Sequence, residues 1–552
     1  MSSSIEGPVA GSQRRRGCVV SATEGWKGAV KEEGTKLTTS ITAPTVEAAL
    51  KEIPEAAAAG ADIIELRLDL YADFKPQEHL ATLIQACQDQ AKVPCIVTYR
   101  PVWEGGKYDG GEAQRLGALR YAAVLGARYV DVEFKAATVF FAAPGMVPET
   151  TAIIVSSHNY EATPGAAELV ELANAMWDAG ADIVKIATTA TDVADCRNLF
   201  ALLAARRGPT VALAMGERGV MTRILSGKYG GYLTFGAMGA GRESAPGQPT
   251  IGELRNMYRL ASMGPKTKVY GVIGNPVAQS KSPAIHNAAF AQLGTDAVYV
   301  PLLVDDMERF LEAYDDPDFA GFSVTIPHKG AALAGADHVD PVAQEIGAVN
   351  TLVRSADSGE LTGYNTDWEA AIGAIEEALR GKDGSGAPKP LTGKTVVVIG
   401  AGGAGRGLVF GALERGAAEV VVCNRSIERA EQLAAEVGER CRAATLADLA
   451  GGQVTGDVLA NTTSVGMVPE VDASPVPAEV AGSFAVVFDA VYNPLETKLL
   501  REAVAGGAAP ASGVDMFVGQ AARQFELFTG VKEAPRQLMK DVVLGSLDPA
   551  KR

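Results

Sequence analysis

Apolar residues recur along this chain in short, β-rich runs separated by polar turns. From Leu37 onward the runs fall at 37–41, 63–68, 95–99, 129–134, 152–156, 183–187, 211–215 and 232–236. Most are separated by roughly 20–30 residues, and stretches such as 45–59 and 166–179 carry helical periodicity. Eight consecutive βα units predict an α/β fold that opens with a (β/α)8 barrel over residues 35–263. A doubly wound sheet is the alternative, but eight units in a row favour closure. A short basic stretch at 264–268 reads as a linker. Strand-like runs then restart at 269–274, 298–304, 322–326 and 348–353. A Gly/Pro/Lys-rich stretch at 380–390 separates these from a strongly apolar run at 395–399, which leads into a glycine-rich turn. The second half therefore predicts two α/β lobes, one over 268–370 and one over 391–510, with C-terminal helices at 511–545 returning to the first lobe.

Composition narrows the partners. The chain has 552 residues and a net charge of −16, which argues against nucleic acid. No apolar run is long enough to span a membrane. The six cysteines (18, 87, 95, 196, 423 and 441) are scattered without a C-x-x-C, and neither they nor the five histidines form a metal-ligand pattern. No metal is expected. Residues 1–34 read as a leader: the first 22 are Ser- and Arg-rich with a single acid, Glu6, as in an organellar transit peptide with a cleavage region near Ala22; a disordered leader fits the composition equally.

In a barrel, chemistry sits where strands end. One such end carries Lys185 inside the run 182–187, where charge is costly; a buried ammonium loses its proton, and a neutral amine in a dry pocket is a nucleophile toward ketones. Taken alone, Lys185 is equally a strand-end lysine reaching solvent. Its neighbours at other strand ends change that. Glu65 and Arg67 end the second strand, Arg100 the third with Glu104 four residues on, and His158 the fifth. Arg223 follows the seventh, and Ser244 and Gln248 lie in a polar turn after the eighth, suited to closing over a ligand. Arginines, a histidine and an isolated lysine at one mouth describe imine chemistry on an anionic keto compound, with His158 moving the protons.

Residues 37–262 resemble type I 3-dehydroquinate dehydratase. The shared motifs are E-L-R-L-D at 65–69, Y-R-P before Glu104, S-H-N-Y around His158, K-I-A at Lys185, M-G-x-x-G-x-x-T-R ending at Arg223, and S-A-P-G-Q. Thr222 stands where many relatives have serine. The resemblance implies that Lys185 forms the imine, His158 is the general acid/base and Glu104 orients it. It further implies that Arg223, Ser244 and Gln248 hold the substrate carboxylate, and that Glu65, Arg67 and Arg100 grip hydroxyls.

The glycine-rich turn Gly400-Ala401-Gly402-Gly403-Ala404-Gly405 follows a strand, opens a helix and precedes a second strand, the βαβ setting of a dinucleotide site. That second strand ends in Asn424-Arg425-Ser426, where NAD-binding folds carry an acid, so a 2′-phosphate and NADP(H) are favoured. Lys329 and Asp367, from two separate loops, form a candidate proton-transfer pair, against the plainer reading of a surface salt bridge.

Residues 268–545 resemble shikimate dehydrogenase, through S-K-S-P, T-I-P-H-K, G-A-V-N-T, G-Y-N-T-D, G-A-G-G-A-G, N-R-S, N-T-T-S-x-G-M, D-A-V-Y-N-P and M-F-V-x-Q-A. The resemblance implies that Ser280, Ser282 and Tyr492 take the shikimate carboxylate, and that Thr325, Asn350, Asp367 and Gln520 bind ring hydroxyls. Lys329 would be the acid/base, with Ala490 and Gly513 lining the nicotinamide side and His328 structural. Serine at both 280 and 282 points to shikimate over quinate; a quinate-preferring second half is the alternative.

The order of the halves resembles the bifunctional dehydratase–dehydrogenase of plants and algae. This implies conversion of 3-dehydroquinate through 3-dehydroshikimate to shikimate, a plastid location and hand-over of the intermediate. A monomer is the simpler expectation, since one chain supplies both domains. A catalytically silent sensor built from the same two folds is the alternative of a different class; it should lack the nucleophile and proton-transfer groups, all of which are present here.

Overall fold

The computed structural model describes residues 34–143, 147–381 and 391–547; the leader up to residue 33 and residues 382–390 of the loop expected at 380–390 lie outside them. Eight parallel strands form the first sheet: β1 (Lys36–Ile41), β2 (Ile63–Arg67), β3 (Cys95–Thr98), β4 (Tyr129–Glu133), β5 (Ala152–His158), β6 (Ile183–Thr189), β7 (Thr210–Met215) and β8 (Leu233–Phe235). Sequential neighbours pair from β1 to β7, and β8 pairs with β1, so the sheet curls into a barrel closed except between β7 and β8. At the seam, Tyr232 N–H donates to the Thr210 carbonyl.

Helices begin where side chains can cap them. Thr45, extended, accepts from Ala48 N–H and starts the helix Val46–Ala58, which buries Val46, Ala49 and Ile53 against the strands. Inside the barrel, Ile63, Ile96, Ile154, Ile183, Val211 and Leu233 form a packed apolar floor. Polar side chains are therefore confined to the carboxyl-terminal mouth.

The second half holds two six-stranded sheets. The first comprises β9 (Lys268–Gly274), β10 (Ala297–Leu303), β11 (Phe319–Val324), β12 (His338–Val339), β13 (Thr351–Arg354) and β14 (Leu361–Tyr364), in the order β10-β9-β11-β13-β14-β12. β13 runs antiparallel to β11 and β14. The second comprises β15 (Thr395–Ile399), β16 (Glu419–Asn424), β17 (Cys441–Thr445), β18 (Val458–Asn461), β19 (Val486–Asp489) and β20 (Ala509–Ala511), all parallel, in the order β17-β16-β15-β18-β19-β20. That order places a topological switch point between β15 and β18, the usual place for a ligand crevice. The helices Thr366–Gly381 and Gly513–Thr529 pack together between the lobes, and Phe525 and Phe528 share a core with Tyr270 and Phe290 of the first lobe.

The barrel rests directly on the first lobe. Tyr314, fully buried, donates its hydroxyl proton to the Val193 carbonyl at 2.7 Å. Lys228, whose side chain is 1% exposed, reaches Asp318 at 2.8 Å and the Pro265 carbonyl at 2.9 Å. Arg218 makes a two-pronged bond to Asp305. The stretch 264–268 is thus fastened on both sides.

Removing the Lys228 ammonium leaves Asp318 and a carbonyl without their donor. Lys228→Ala is expected to cost about 2 kcal/mol and to separate the unfolding of the barrel from that of the second half, read as two transitions by calorimetry.

Candidate active site

Two clusters of functional side chains lie at carboxyl-terminal strand ends, one in the barrel and one in the second half. In the barrel, strand pleat and register bring the groups together. Side chains two apart on a strand share a face, so Glu65 and Arg67, Asp131 and Glu133, and Ser156 and His158 all point into the mouth. Glu133, Ser156 and Lys185 are aligned across β4, β5 and β6.

Lys185 is buried, as its apolar run predicts, and two carboxylates share its pocket. Its Nζ lies 2.9 Å from Asp131 Oδ2 and 3.8 Å from Glu65 Oε1, with the Phe235 ring 4.9 Å away. Asp131 also meets Arg100 at 3.0 Å and accepts from Ser156 Oγ at 2.6 Å. Arg100 continues to Glu133 at 2.7 Å, and Glu133 in turn meets Arg115. Burial opposes the charge on Asp131, but Arg100 and Lys185 outweigh it and hold the carboxyl well below its ordinary range. Burial likewise opposes Glu65, and Lys185 and Arg67 keep it low; Thr98 donates to it at 2.8 Å and Ser40 donates to its other oxygen.

His158 Nδ1 lies 3.4 Å from Glu104 Oε1, and the same oxygen accepts the His158 backbone N–H at 2.8 Å. Burial works against the Glu104 carboxylate, yet these bonds keep it below its usual value. Burial, reinforced by Arg100, pushes the imidazole down to about 4. At neutral pH the ring is therefore uncharged and able to accept a proton.

Arg223 has a different environment from the other buried arginines. It is 2% exposed, its Nε has no partner and it makes no ion pair among the described residues. Burial alone pushes its guanidinium down to about 10. Arg67, by contrast, is paired with Asp69, and Arg100 is fully engaged by acids. In the turn after β8, Ser244 donates through N–H and Oγ to Gln248 Oε1, and Gly216 N–H donates to the Pro246 carbonyl.

In the second half, Lys329 Nζ lies 2.6 Å from Asp367 Oδ2, both groups part-exposed. Asn350 is buried and tied to Thr366, whose hydroxyl also reaches the Gln520 carbonyl. Ser282 opens the helix Ser282–Leu293, and its N–H points to Ser280 Oγ at 3.3 Å. Thr325 follows β11, with its N–H bonded to the Ile273 carbonyl. Tyr492 is 39% exposed and stacks on Phe517, whose carbonyl accepts from Gln520. His328 is buried, and its Nε2 meets the Val304 carbonyl, as fits a structural residue.

The glycine-rich turn lies at the carboxyl end of β15. Gly400 has φ of +110°, and a Cβ on Gly405 would collide with the Gly400 carbonyl, so both positions require glycine. Gly402, Gly403 and Ala404 are exposed at the start of the helix Gly403–Glu414. Asn424 Oδ1 accepts from Ala401 N–H at 3.4 Å, and Ser426 contacts Glu428. Arg425 is exposed and makes no hydrogen bond or ion pair among the described residues. A Cβ on Gly513 would meet the Ala490 carbonyl at 2.6 Å, which brings these two positions into contact.

Residues 37–265 match the family model for type I 3-dehydroquinase, and 272–352 match the shikimate dehydrogenase substrate binding domain. Residues 385–468 match shikimate / quinate 5-dehydrogenase, and 513–544 match the shikimate 5′-dehydrogenase C-terminal domain. The chain is 50% identical over 504 residues to the chloroplastic bifunctional 3-dehydroquinate dehydratase/shikimate dehydrogenase of Arabidopsis thaliana, covering 90% of this chain and 82% of that one. The chain belongs to this bifunctional family. Its dehydrogenase half is 43% identical to the NADP(+) shikimate dehydrogenase of Methanosarcina acetivorans, over 51% of this chain and 99% of that one. The crystal structure of Thermus thermophilus shikimate 5-dehydrogenase in complex with NADP(H) and shikimate aligns at 37% identity, over 51% of this chain and all of that one, with a TM-score of 0.43.

Sequence reasoning named Glu65 and Glu104 in the dehydratase half but missed three further polar residues. Asp131, Glu133 and Ser156 lie beside the residues it named. The available signal was the run Tyr129-Val130-Asp131-Val132-Glu133: parallel barrel strands are mostly apolar, and two acids on one face are out of place there.

The His158 ring is expected to stay uncharged on acidification and to gain its proton only near pH 4. NMR titration of its imidazole protons checks this; a midpoint near the ordinary value would contradict the burial argument.

Proposed function

We propose that the barrel dehydrates 3-dehydroquinate to 3-dehydroshikimate through an imine on Lys185, and that the second half reduces this product to shikimate with NADPH. The observation carrying the reading is the trio at the barrel mouth: a buried lysine amine, an uncharged histidine held by Glu104, and a buried arginine without a carboxylate partner.

In this reading Arg223 takes the substrate carboxylate, filling the demand for an anion that the chain leaves open, while Ser244 and Gln248 exchange their mutual bond for the ligand. Glu65, Arg67 and Arg100 line the side facing the ring hydroxyls. Lys185 adds to the ketone carbon, and the resulting iminium acidifies the neighbouring C–H. His158 removes that proton and returns it to the departing hydroxyl.

The residues of the second half fit NADP(H). The turn leaves backbone N–H groups open at a helix start, and the unpaired Arg425 suits a 2′-phosphate. When bound, that cofactor supplies the reducing equivalent. Lys329, held by Asp367, gives a proton to the ketone oxygen as charge develops there. Ser280, Ser282 and Tyr492 hold the carboxylate, Thr325, Asn350, Asp367 and Gln520 the hydroxyls, and Ala490 and Gly513 border the reacting ring. We further read the chain as a monomer located in the plastid; its relative from Arabidopsis thaliana is named chloroplastic. No described helix is long and apolar enough to cross a membrane.

Purified protein given 3-dehydroquinate and NADPH is expected to consume NADPH, followed at 340 nm. Lys185→Ala should abolish this consumption, and direct supply of 3-dehydroshikimate should restore it. Failure with both substrates would discard the reading. Gly405→Ala, which forces a Cβ into the Gly400 carbonyl, is expected to weaken NADPH binding at least about tenfold; dehydration measured on the same sample should be unchanged.

A further inference from the structure

We propose that Asp131 is a catalytic carboxylate of the barrel: it balances the charge on Lys185 Nζ both before and after that nitrogen joins the substrate, with Ser156 as its positioning residue. The inference rests on the Schiff-base reading above.

Three cations (Lys185, Arg100 and Arg115) and three carboxylates (Glu65, Asp131 and Glu133) are buried together at the mouth. Their pairing is not symmetrical. Glu133 serves both arginines, through Oε1 to Arg100 and Oε2 to Arg115. Glu65 lies 3.8 Å from Nζ, beyond hydrogen-bond reach, and its two oxygens are occupied by Ser40 and Thr98. Among the described residues, Asp131 alone makes a hydrogen bond to Nζ, through Oδ2 at 2.9 Å. Its other oxygen is fixed by Ser156 Oγ at 2.6 Å and Arg100 at 3.0 Å, so the carboxylate cannot swing away.

The balance of the chemistry explains why a fixed carboxylate is useful here. A ketone and an ammonium give an iminium and water: the C–N bond forms, the C–O bond breaks, and the oxygen leaves with two of the three nitrogen protons. The nitrogen keeps one proton and one positive charge. The charge facing Asp131 is therefore the same before and after, and the carboxylate stabilises the electron sink without moving. In a buried site an iminium without this partner would be strongly disfavoured.

The test uses the full chain with Asp131→Asn, which keeps the shape and removes the charge. Dehydration is followed by the ultraviolet absorbance of the conjugated ketone product. The imine is measured by borohydride trapping with 3-dehydroquinate and intact mass, and fold is controlled by reduction of 3-dehydroshikimate in the same sample. We expect kcat for dehydration to fall about 100-fold and the trapped fraction to fall with it. KM should change less than about threefold, because Arg223 is untouched. A trapped fraction and kcat close to wild type would overturn the proposal, as would an effect on KM alone. A wild-type protein that traps nothing on Lys185 would instead overturn the Schiff-base reading. If Asp131→Asn also loses reduction, Ser156→Ala decides: a trapped fraction lowered about tenfold supports the proposal, and an unchanged one overturns it.

Discussion

A chain of alternating charges crosses the barrel mouth, from Glu112 through Arg115, Glu133, Arg100 and Asp131 to Lys185, and the geometry of that end depends on it. All but Glu112, at its exposed end, are buried, and each of those ions left unpaired would cost several kcal/mol. Set in alternation, each meets an opposite charge within hydrogen-bond distance. The arrangement works only if β3, β4, β5 and β6 hold their register, because a slip of one residue would turn Asp131, Glu133 and Ser156 out of the mouth. Arg223 lies outside the chain of pairs. Its missing partner is the feature that a ligand carboxylate can satisfy, so the same interactions that settle the protein's own charges leave one place open for an anion.

Much of this was legible in the sequence, for physical reasons that differ from part to part. The eight barrel strands were, because each is a compact apolar run flanked by helical periodicity; observed and expected bounds differ by two residues at most. In the second half, β14 (Leu361–Tyr364) went unread because a four-residue strand containing a glycine carries little pattern. β12, with two residues, carries none. The glycine-rich turn was legible because Gly400 and Gly405 are steric requirements of the backbone. Lys185 could be named, but its surroundings could not: which acids meet it depends on pairing across strands, and only the barrel's register brings Asp131 from β4 to a lysine on β6. The contacts of Lys228 and Tyr314 between the halves were hidden for the same reason.

Both halves place their chemistry at the carboxyl ends of parallel strands. In the barrel this follows from closure, which packs the opposite end with Ile63, Ile96 and Ile183. In the dinucleotide-type sheet it follows from the switch point between β15 and β18, where successive helices leave on opposite faces and open a crevice. Tyr314, Lys228 and Arg218 then join the barrel to the substrate lobe. The nucleotide-type sheet is linked to that lobe through the packed helices Thr366–Gly381 and Gly513–Thr529.

The two lysines show how burial selects chemistry from one residue type. In the proposed reaction Lys185 carries a covalent imine, which water would hydrolyse; its side chain is 8% exposed and enclosed by Asp131, Glu65 and Phe235. Lys329 is proposed to give up a proton in each turnover and must recover it from solvent; its side chain is 34% exposed beside a single carboxylate at 2.6 Å. Exchanging these environments would defeat both tasks: a solvated Lys185 would lose its intermediate, and a sealed Lys329 would have no route to a second proton. The apolar floor and ion chain of the barrel, and the open loops of the second half, are therefore suited to opposite requirements on the same functional group.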